Sequence, residues 1–137
     1  PESSDEQAGY SLLDQGREAF KRNDYKNALN LAEQAVRKVP NDPVIHQAAL
    51  AYASDYTILE SIYRRHGIAW AHPGLKSASL DHAMWFHREG RADEWFLYVQ
   101  ESPSAQGGRG LALGRIFSRD GRHLATVAQE GMVRVPN

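Results

Sequence analysis

The sequence has 137 residues, 42% of them apolar and 24% charged, which suits one compact domain or a domain with a short appendage and excludes wholesale disorder. A net charge of −1 supplies no field to steer a phosphate backbone, so no nucleic-acid partner is expected. With no cysteine, disulfide frameworks, thiolate catalysis and cysteine–zinc sites are all excluded. The apolar runs are too short for a membrane span, and the stretch Pro1-Glu2-Ser3-Ser4-Asp5-Glu6 is unlike a signal peptide; both features read as a soluble, cytoplasmic protein.

A composition seam falls near Pro40-Asn41-Asp42-Pro43, after which stand all six histidines, all three tryptophans and nine of the eleven glycines. Two domains are therefore expected, 1–42 and 43–137. In the first, Leu12, Leu13, Ala19 and Phe20, then Ala28, Leu29, Leu31, Ala32, Ala35, Val36 and Val39, recur at helical spacing. Arg22-Asn23-Asp24-Tyr25 interrupts them with turn formers, so the reading is a helical hairpin over roughly 9–22 and 26–39, ended by Pro40. Gly16, Ala19, Tyr25, Ala28, Ala35 and Pro40 give this hairpin a resemblance to one tetratricopeptide repeat, with Leu12 where that repeat usually carries tryptophan. A lone unit cannot bury both its faces, so the hairpin is expected to pack on the rest of the chain, on another subunit or on a protein partner.

The second segment opens with Asp42 as N-cap and Pro43 as first helical residue. Apolar residues from Ile45 to Tyr63 predict one helix running to Arg65, with Gly67 as its stop. Strands are predicted over Leu75–His87, Glu94–Ser102, Gly110–Ser118 and His123–Val135, the last two joined by the hairpin turn Arg119-Asp120-Gly121-Arg122. Ser102–Gly108 reads as a small flexible loop. A long helix with an antiparallel sheet is an α+β arrangement.

Nothing in the glycine spacing makes a phosphate loop. His82 and His87, five apart on one predicted strand, point to opposite faces, so no metal site and no cofactor are expected. Polar residues inside apolar elements remain: Asp55 in the helix, Ser79 and Asp81 in the first strand, and Gln129 and Glu130 in the last. Period two puts Ser79 and Asp81 on one face and sets Gln129 and Glu130 on opposite faces. Should the helix lie across the sheet, Asp55, Ser79 and Gln129 converge. Such a trio suits either an ordinary satisfied core network or the positioning of a water for attack on an acyl carbonyl, with the carboxylate as base.

Ala51-Tyr52-Ala53-Ser54-Asp55, the run Ala78 to His87 (ASLDHAMWFH), Gln129-Glu130-Gly131 and Arg134 closely resemble the acyl-CoA thioesterase II family. Glu94 to Tyr98, Glu101 to Ala105 and Arg109-Gly110-Leu111 continue the likeness, which covers about residues 41–137. The resemblance implies a hotdog-like fold, a long helix wrapped by a curved antiparallel sheet, here preceded by the hairpin. It also implies hydrolysis of fatty acyl-CoA without metal or acyl-enzyme, and it carries the family's catalytic aspartate, Ser/Thr and glutamine to Asp55, Ser79 and Gln129. Arg109 and Arg88 are the candidate contacts for the phosphates of coenzyme A.

The chain departs from the family in matching only the second of its usual two hotdog halves, in carrying the hairpin where strands usually precede the helix, and in having Glu89-Gly90 for Pro-Phe. An open sheet edge and a homodimer are therefore expected. Two rivals remain at this point. One is a catalytically inactive hotdog scaffold that dimerises and binds a protein partner through the hairpin; the other is a hydratase on the same fold, disfavoured because His82 faces away from Asp81.

Overall fold

Ser3 and Glu6 start the first helix five residues before the apolar pattern does. Ser3 Oγ accepts from the Glu6 amide (3.2 Å) while Glu6 Oε2 accepts from the Ser3 amide (2.7 Å), a reciprocal cap that satisfies two otherwise orphaned donors. In this computed structural model, which describes residues 3–136, the helix α1 spans Ser4–Lys21 and α2 spans Tyr25–Lys38. Pro1 and Glu2 of the acidic N-terminal stretch, and Asn137, lie outside the described residues. Asn23 at φ 61 and Asp24, whose side chain accepts from the Asn27 amide, make the turn between the two helices. Pro43–Asp55 forms α3, begun as expected by Asp42 Oδ1 accepting from the Val44 amide at 2.8 Å.

The chain divides into two units, Pro1–Ala53 with Glu89–Trp95, and Ser54–Arg88 with Phe96–Asn137. The composition seam at 42/43 and this division do not coincide, because the division falls inside α3. Within the first unit Ala19, Ala28, Ala32 and Ala35 are buried, so small side chains let α1 and α2 approach closely. Leu12, Leu13, Val39 and Ala49 pack on a core of Ala35, Val36 and Ile45. Buried His46 fastens the separate 89–95 segment: its Nε2–H donates to the Pro40 carbonyl (2.7 Å), and its Nδ1 accepts from the Ala92 amide (3.1 Å).

The helix predicted as continuous from 43 to 65 is in fact broken. After Asp55 the chain tightens into turns, with i→i+3 bonds from Glu60 to Thr57, Ser61 to Ile58 and Ile62 to Leu59, before α4 (Glu60–Arg65). Gly67 follows at φ +67, as expected of the stop. In the second unit Ile58, Leu59, Ile62 and Tyr63 form one apolar face against Ala112, Ile116, Leu124, Ala125 and Val127 of the sheet. The approach is close: a Cβ on Gly110 would stand 2.6 Å from Ile62 Cγ2.

The sheet is antiparallel, built from β1 (Lys76–Ser79), β2 (Ala83–Phe86), β3 (Phe96–Gln106), β4 (Arg109–Ser118) and β5 (His123–Arg134). Its order is β1-β5-β4-β3, with β2 also paired to β5. Two strand readings change. The loop expected over Ser102–Gly108 is mostly strand: Gln106 pairs with Arg109 across a two-residue turn, Gly107-Gly108, both at positive φ. Pro103, which has no N–H for the ladder, falls where the register slips between Glu101 and Ser104. The single strand expected over Leu75–His87 is two. Ser79 faces Gly131 and Ala83 faces Ala128, so three residues, Leu80, Asp81 and His82, stand opposite only two, Gln129 and Glu130. This is a β-bulge.

Candidate active site

Gln129 is fully buried on β5, on the face covered by the 58–63 segment, while its neighbour Glu130 is partly exposed, as period two requires. Its amide nitrogen donates to Asp55 Oδ1 at 2.6 Å and to Ser79 Oγ at 2.8 Å. A carboxylate is acceptor-only, so the NH₂ end must face Asp55, and both of its hydrogens are thereby spent. Ser79 Oγ in turn donates to the Asp81 carbonyl at 3.2 Å. The three residues singled out from the sequence thus meet at one amide group. Gln129 Oε1 is buried without a partner among the described residues. Leaving a buried acceptor unpaired costs about 1–3 kcal/mol, which the fold carries in order to keep both N–H groups on Asp55 and Ser79.

Asp55 is the last residue of α3 and is exposed, as is Ser79 at the end of β1. The carboxylate is therefore held by Gln129 on one oxygen while the residue remains open to solvent. The helix break after Asp55 matters here, because it places the carboxylate at a helix end instead of midway along a longer helix.

Residues 79–82 hold this arrangement from the other side. Asp81 Oδ1 accepts from the Glu130 amide (2.7 Å) and the Leu80 amide donates to the Glu130 carbonyl (2.9 Å), so a side chain completes the strand pairing that the bulge interrupts. His82 does not face away, as strand alternation predicts. The extra residue turns it so that Nε2 lies 2.8 Å from Ser54 Oγ, one residue before Asp55. Period-two reasoning missed His82; the only signal available was the closeness of three polar residues, Ser79, Asp81 and His82, around Leu80.

Ser54 is buried and is also held through its backbone: its carbonyl, one of the orphans at the end of α3, accepts from Tyr98 OH at 2.9 Å. Burial, and then the negative charge of Asp55, push the Tyr98 hydroxyl well above the ordinary tyrosine range, so it stays a donor. Gly114 makes room for the ring, since a Cβ there would stand 2.4 Å from Tyr98 Cε2. Gly114→Ala is expected to lower stability by about 1–3 kcal/mol in urea unfolding. In a double-mutant cycle, Tyr98→Ala should empty that space and make the added methyl harmless. Additive losses would show that the ring is not what the methyl meets.

The two candidate arginines are not brought together. Arg109 is exposed on β4, with Nη1 3.7 Å from Oε2 of Glu130, the residue after Gln129. Arg88 donates to the His123 carbonyl at 2.9 Å, at the far end of β5, about 20 Å along the strand from Gln129. Among the described residues no three His, Asp or Glu side chains cluster as metal ligands, and no helix is long and apolar enough to cross a membrane.

A family model described as acyl-CoA thioesterase matches residues 20–132. Over 97 residues the chain is 43% identical to acyl-CoA thioesterase 2 of Haemophilus influenzae, covering 71% of this chain and 34% of that protein. Among solved structures it is similar to acyl-CoA thioesterase II TesB2 from Mycobacterium marinum, with 54% identity and a TM-score of 0.66 over 72% of this chain and 38% of the other. A protein with a hot dog fold from Alicyclobacillus acidocaldarius aligns at 22% identity with a TM-score of 0.55, over 66% of this chain and 34% of that one. That last likeness speaks for the fold alone, and it agrees with the α+β arrangement of helix on antiparallel sheet. The chain spans about a third of the length of the two acyl-CoA thioesterases named above.

Proposed function

The chain belongs to the acyl-CoA thioesterase family, and from that premise we propose that it hydrolyses fatty acyl-CoA to a free fatty acid and coenzyme A, with Asp55, Ser79 and Gln129 as its catalytic set. The observation that carries this reading is the double donation from Gln129 Nε2 to Asp55 and Ser79. Water bound at Asp55 gives a proton to the carboxylate as its oxygen adds to the thioester carbonyl carbon. Collapse of the adduct breaks the carbon–sulfur bond; the thiolate leaves as coenzyme A, and the proton held by Asp55 returns to solvent or to the thiolate. Gln129 fixes the carboxylate and the Ser79 hydroxyl, and Ser79 Oγ keeps a lone pair that can accept from the water beside Asp55, an arrangement that needs no metal and no covalent intermediate. Arg109, beside the site strand, is the better placed of the two arginines for a coenzyme A phosphate.

We read this as a cytoplasmic activity of the portion from residue 43 onward, working as a homodimer. Exposed Leu80, Trp85 and Phe86 lie on or beside the β1/β2 side of the sheet, which has β5 as its only strand partner among the described residues. Sedimentation velocity should therefore show concentration-dependent dimers that Trp85→Lys weakens; a monomer at every concentration would remove the homodimer. The rival reading, an inactive scaffold with a protein partner on the tetratricopeptide-like hairpin, has in its favour a shallow groove lined by Gln7, Tyr10, Asp14, Glu18, Arg22 and Leu31.

The deciding experiment is steady-state release of free coenzyme A from short-, medium- and long-chain acyl-CoA, with Asp55→Asn run beside the wild type. Turnover in the wild type alone supports the enzyme; no turnover at any chain length from folded protein favours the scaffold.

A further inference from the structure

We infer that His82 is a positioning residue for Asp55, acting through Ser54; the inference rests on the thioesterase reading and extends it to a side chain outside the Asp55, Ser79 and Gln129 set. Asp55 is the terminal residue of α3, and the chain leaves the helix immediately after it in a turn. Terminal helical turns fray because their carbonyls lack helical partners, so a carboxylate there keeps a fixed place only if the residues before it are tied down. Ser54 is tied down: among its bonds, its carbonyl accepts from Tyr98 OH (2.9 Å), and its Oγ lies 2.8 Å from His82 Nε2. Ser54 is 1% exposed, so its hydroxyl is shielded from bulk water in the folded protein.

The bulge is what makes the tie. In an unbroken strand Ser79 and His82, three residues apart, would face opposite sides of the sheet. With three residues set against two, Ser79 reaches Gln129, Asp81 reaches the Glu130 amide and His82 reaches Ser54. One four-residue segment thus grips both sides of the carboxylate: Ser79 through the Gln129 amide, and His82 through the helix end. His82 is itself exposed and has no place in the water-holding set, so its effect is on where Asp55 stands.

The test compares His82→Ala and His82→Gln with the wild type, folding being checked by thermal melting. Gln keeps a side-chain N–H and a carbonyl, so it can bond the Ser54 hydroxyl in either direction. His82→Ala is expected to lower kcat on the order of 10²-fold with KM unchanged, and His82→Gln to recover most of that loss. Full kcat in His82→Ala, a change confined to KM, or a Gln variant as impaired as the Ala variant would overturn the inference. A second readout does not depend on turnover: the side-chain NH₂ resonances of Gln129, whose hydrogens bond Asp55 and Ser79, should shift and lose exchange protection in His82→Ala. A wild type that releases no coenzyme A while those resonances respond would defeat the thioesterase reading and leave the positioning role standing. Resonances unchanged in His82→Ala would defeat the positioning role itself.

Discussion

Asp55→Asn is expected to lower kcat by about 10²–10⁴-fold while leaving the melting temperature nearly unchanged. The substitution exchanges one carboxylate oxygen for NH₂ and alters little else. The remaining Asn oxygen can still accept from Gln129 Nε2, so the 2.6 Å bond and the fold around it survive, and only the base is lost. Asp55 is exposed, so removal of its charge should cost within about 0.5 kcal/mol of stability. Asp55→Ala tests the same point from the other side. It removes both the base and the acceptor for a buried N–H, so it should lose activity to a similar degree and in addition lose about 1–3 kcal/mol of stability. Coenzyme A release and urea unfolding on the same preparations separate the two effects. Wild-type turnover in Asp55→Asn would take the base away from this residue.

Gln129→Glu should convert a stable protein into one whose stability falls steeply with pH. The side chain at this position is fully buried, and its terminal group lies 2.6 Å from a carboxylate. An introduced carboxyl there is disfavoured in its charged form by desolvation and by the adjacent negative charge alike, so its pKa in the folded state rises above the unfolded value of about 4.3. A group whose folded pKa is raised leaves the fold intact below the unfolded pKa, where it is protonated in both states and can still donate one O–H to Asp55. The stability is lost as pH climbs from about 4.3 through the folded-state value. The loss at neutral pH is expected to be on the order of a few kcal/mol. Thermal melts from pH 4 to pH 8 check this. Gln129→Met, similar in volume but without an amide, should lose stability by an amount that does not depend on pH. If Gln129→Glu shows the same flat profile, the two carboxyl groups are not adjacent in solution.

Local signals carried much of the structure and stopped where a long-range constraint took over. The α1–α2 hairpin was legible because small residues at helical spacing and a polar turn state it locally, and its start was misplaced only for want of the Ser3–Glu6 cap. Asp55, Ser79 and Gln129 stood out because a polar side chain inside an apolar element demands a partner, and they are indeed one another's partners. The break after Asp55 was not legible: apolar spacing continues through Tyr56, Leu59, Ile62 and Tyr63, and it is packing on the sheet that sets the turn. Ser102–Gly108 read as a loop, yet the register slips at Pro103 by enough to absorb it and β3 runs on to Gln106. His82 was set aside on alternation, a rule that fails wherever a bulge intervenes. The bulge depends on the pairing of Ser79 with Gly131 and of Ala83 with Ala128, some fifty residues distant, and nothing near residue 80 announces it.

The bulge also bears on how this stretch of sequence can change over time. Loss of any one residue among Leu80, Asp81 and His82 would leave two residues opposite Gln129 and Glu130, so the ladder would run unbroken with Ser79 still facing Gly131 and Ala83 still facing Ala128. Met84 would keep its place against the core, but the shortened segment could no longer bring both Asp81 to the Glu130 amide and His82 to Ser54. Single substitutions in the segment touch one bond each, whereas a one-codon deletion leaves the core in register and removes several of the site's bonds at once. The length of this segment is thus under tighter restraint than its composition, and related sequences aligned across it should differ by replacement and not by gaps.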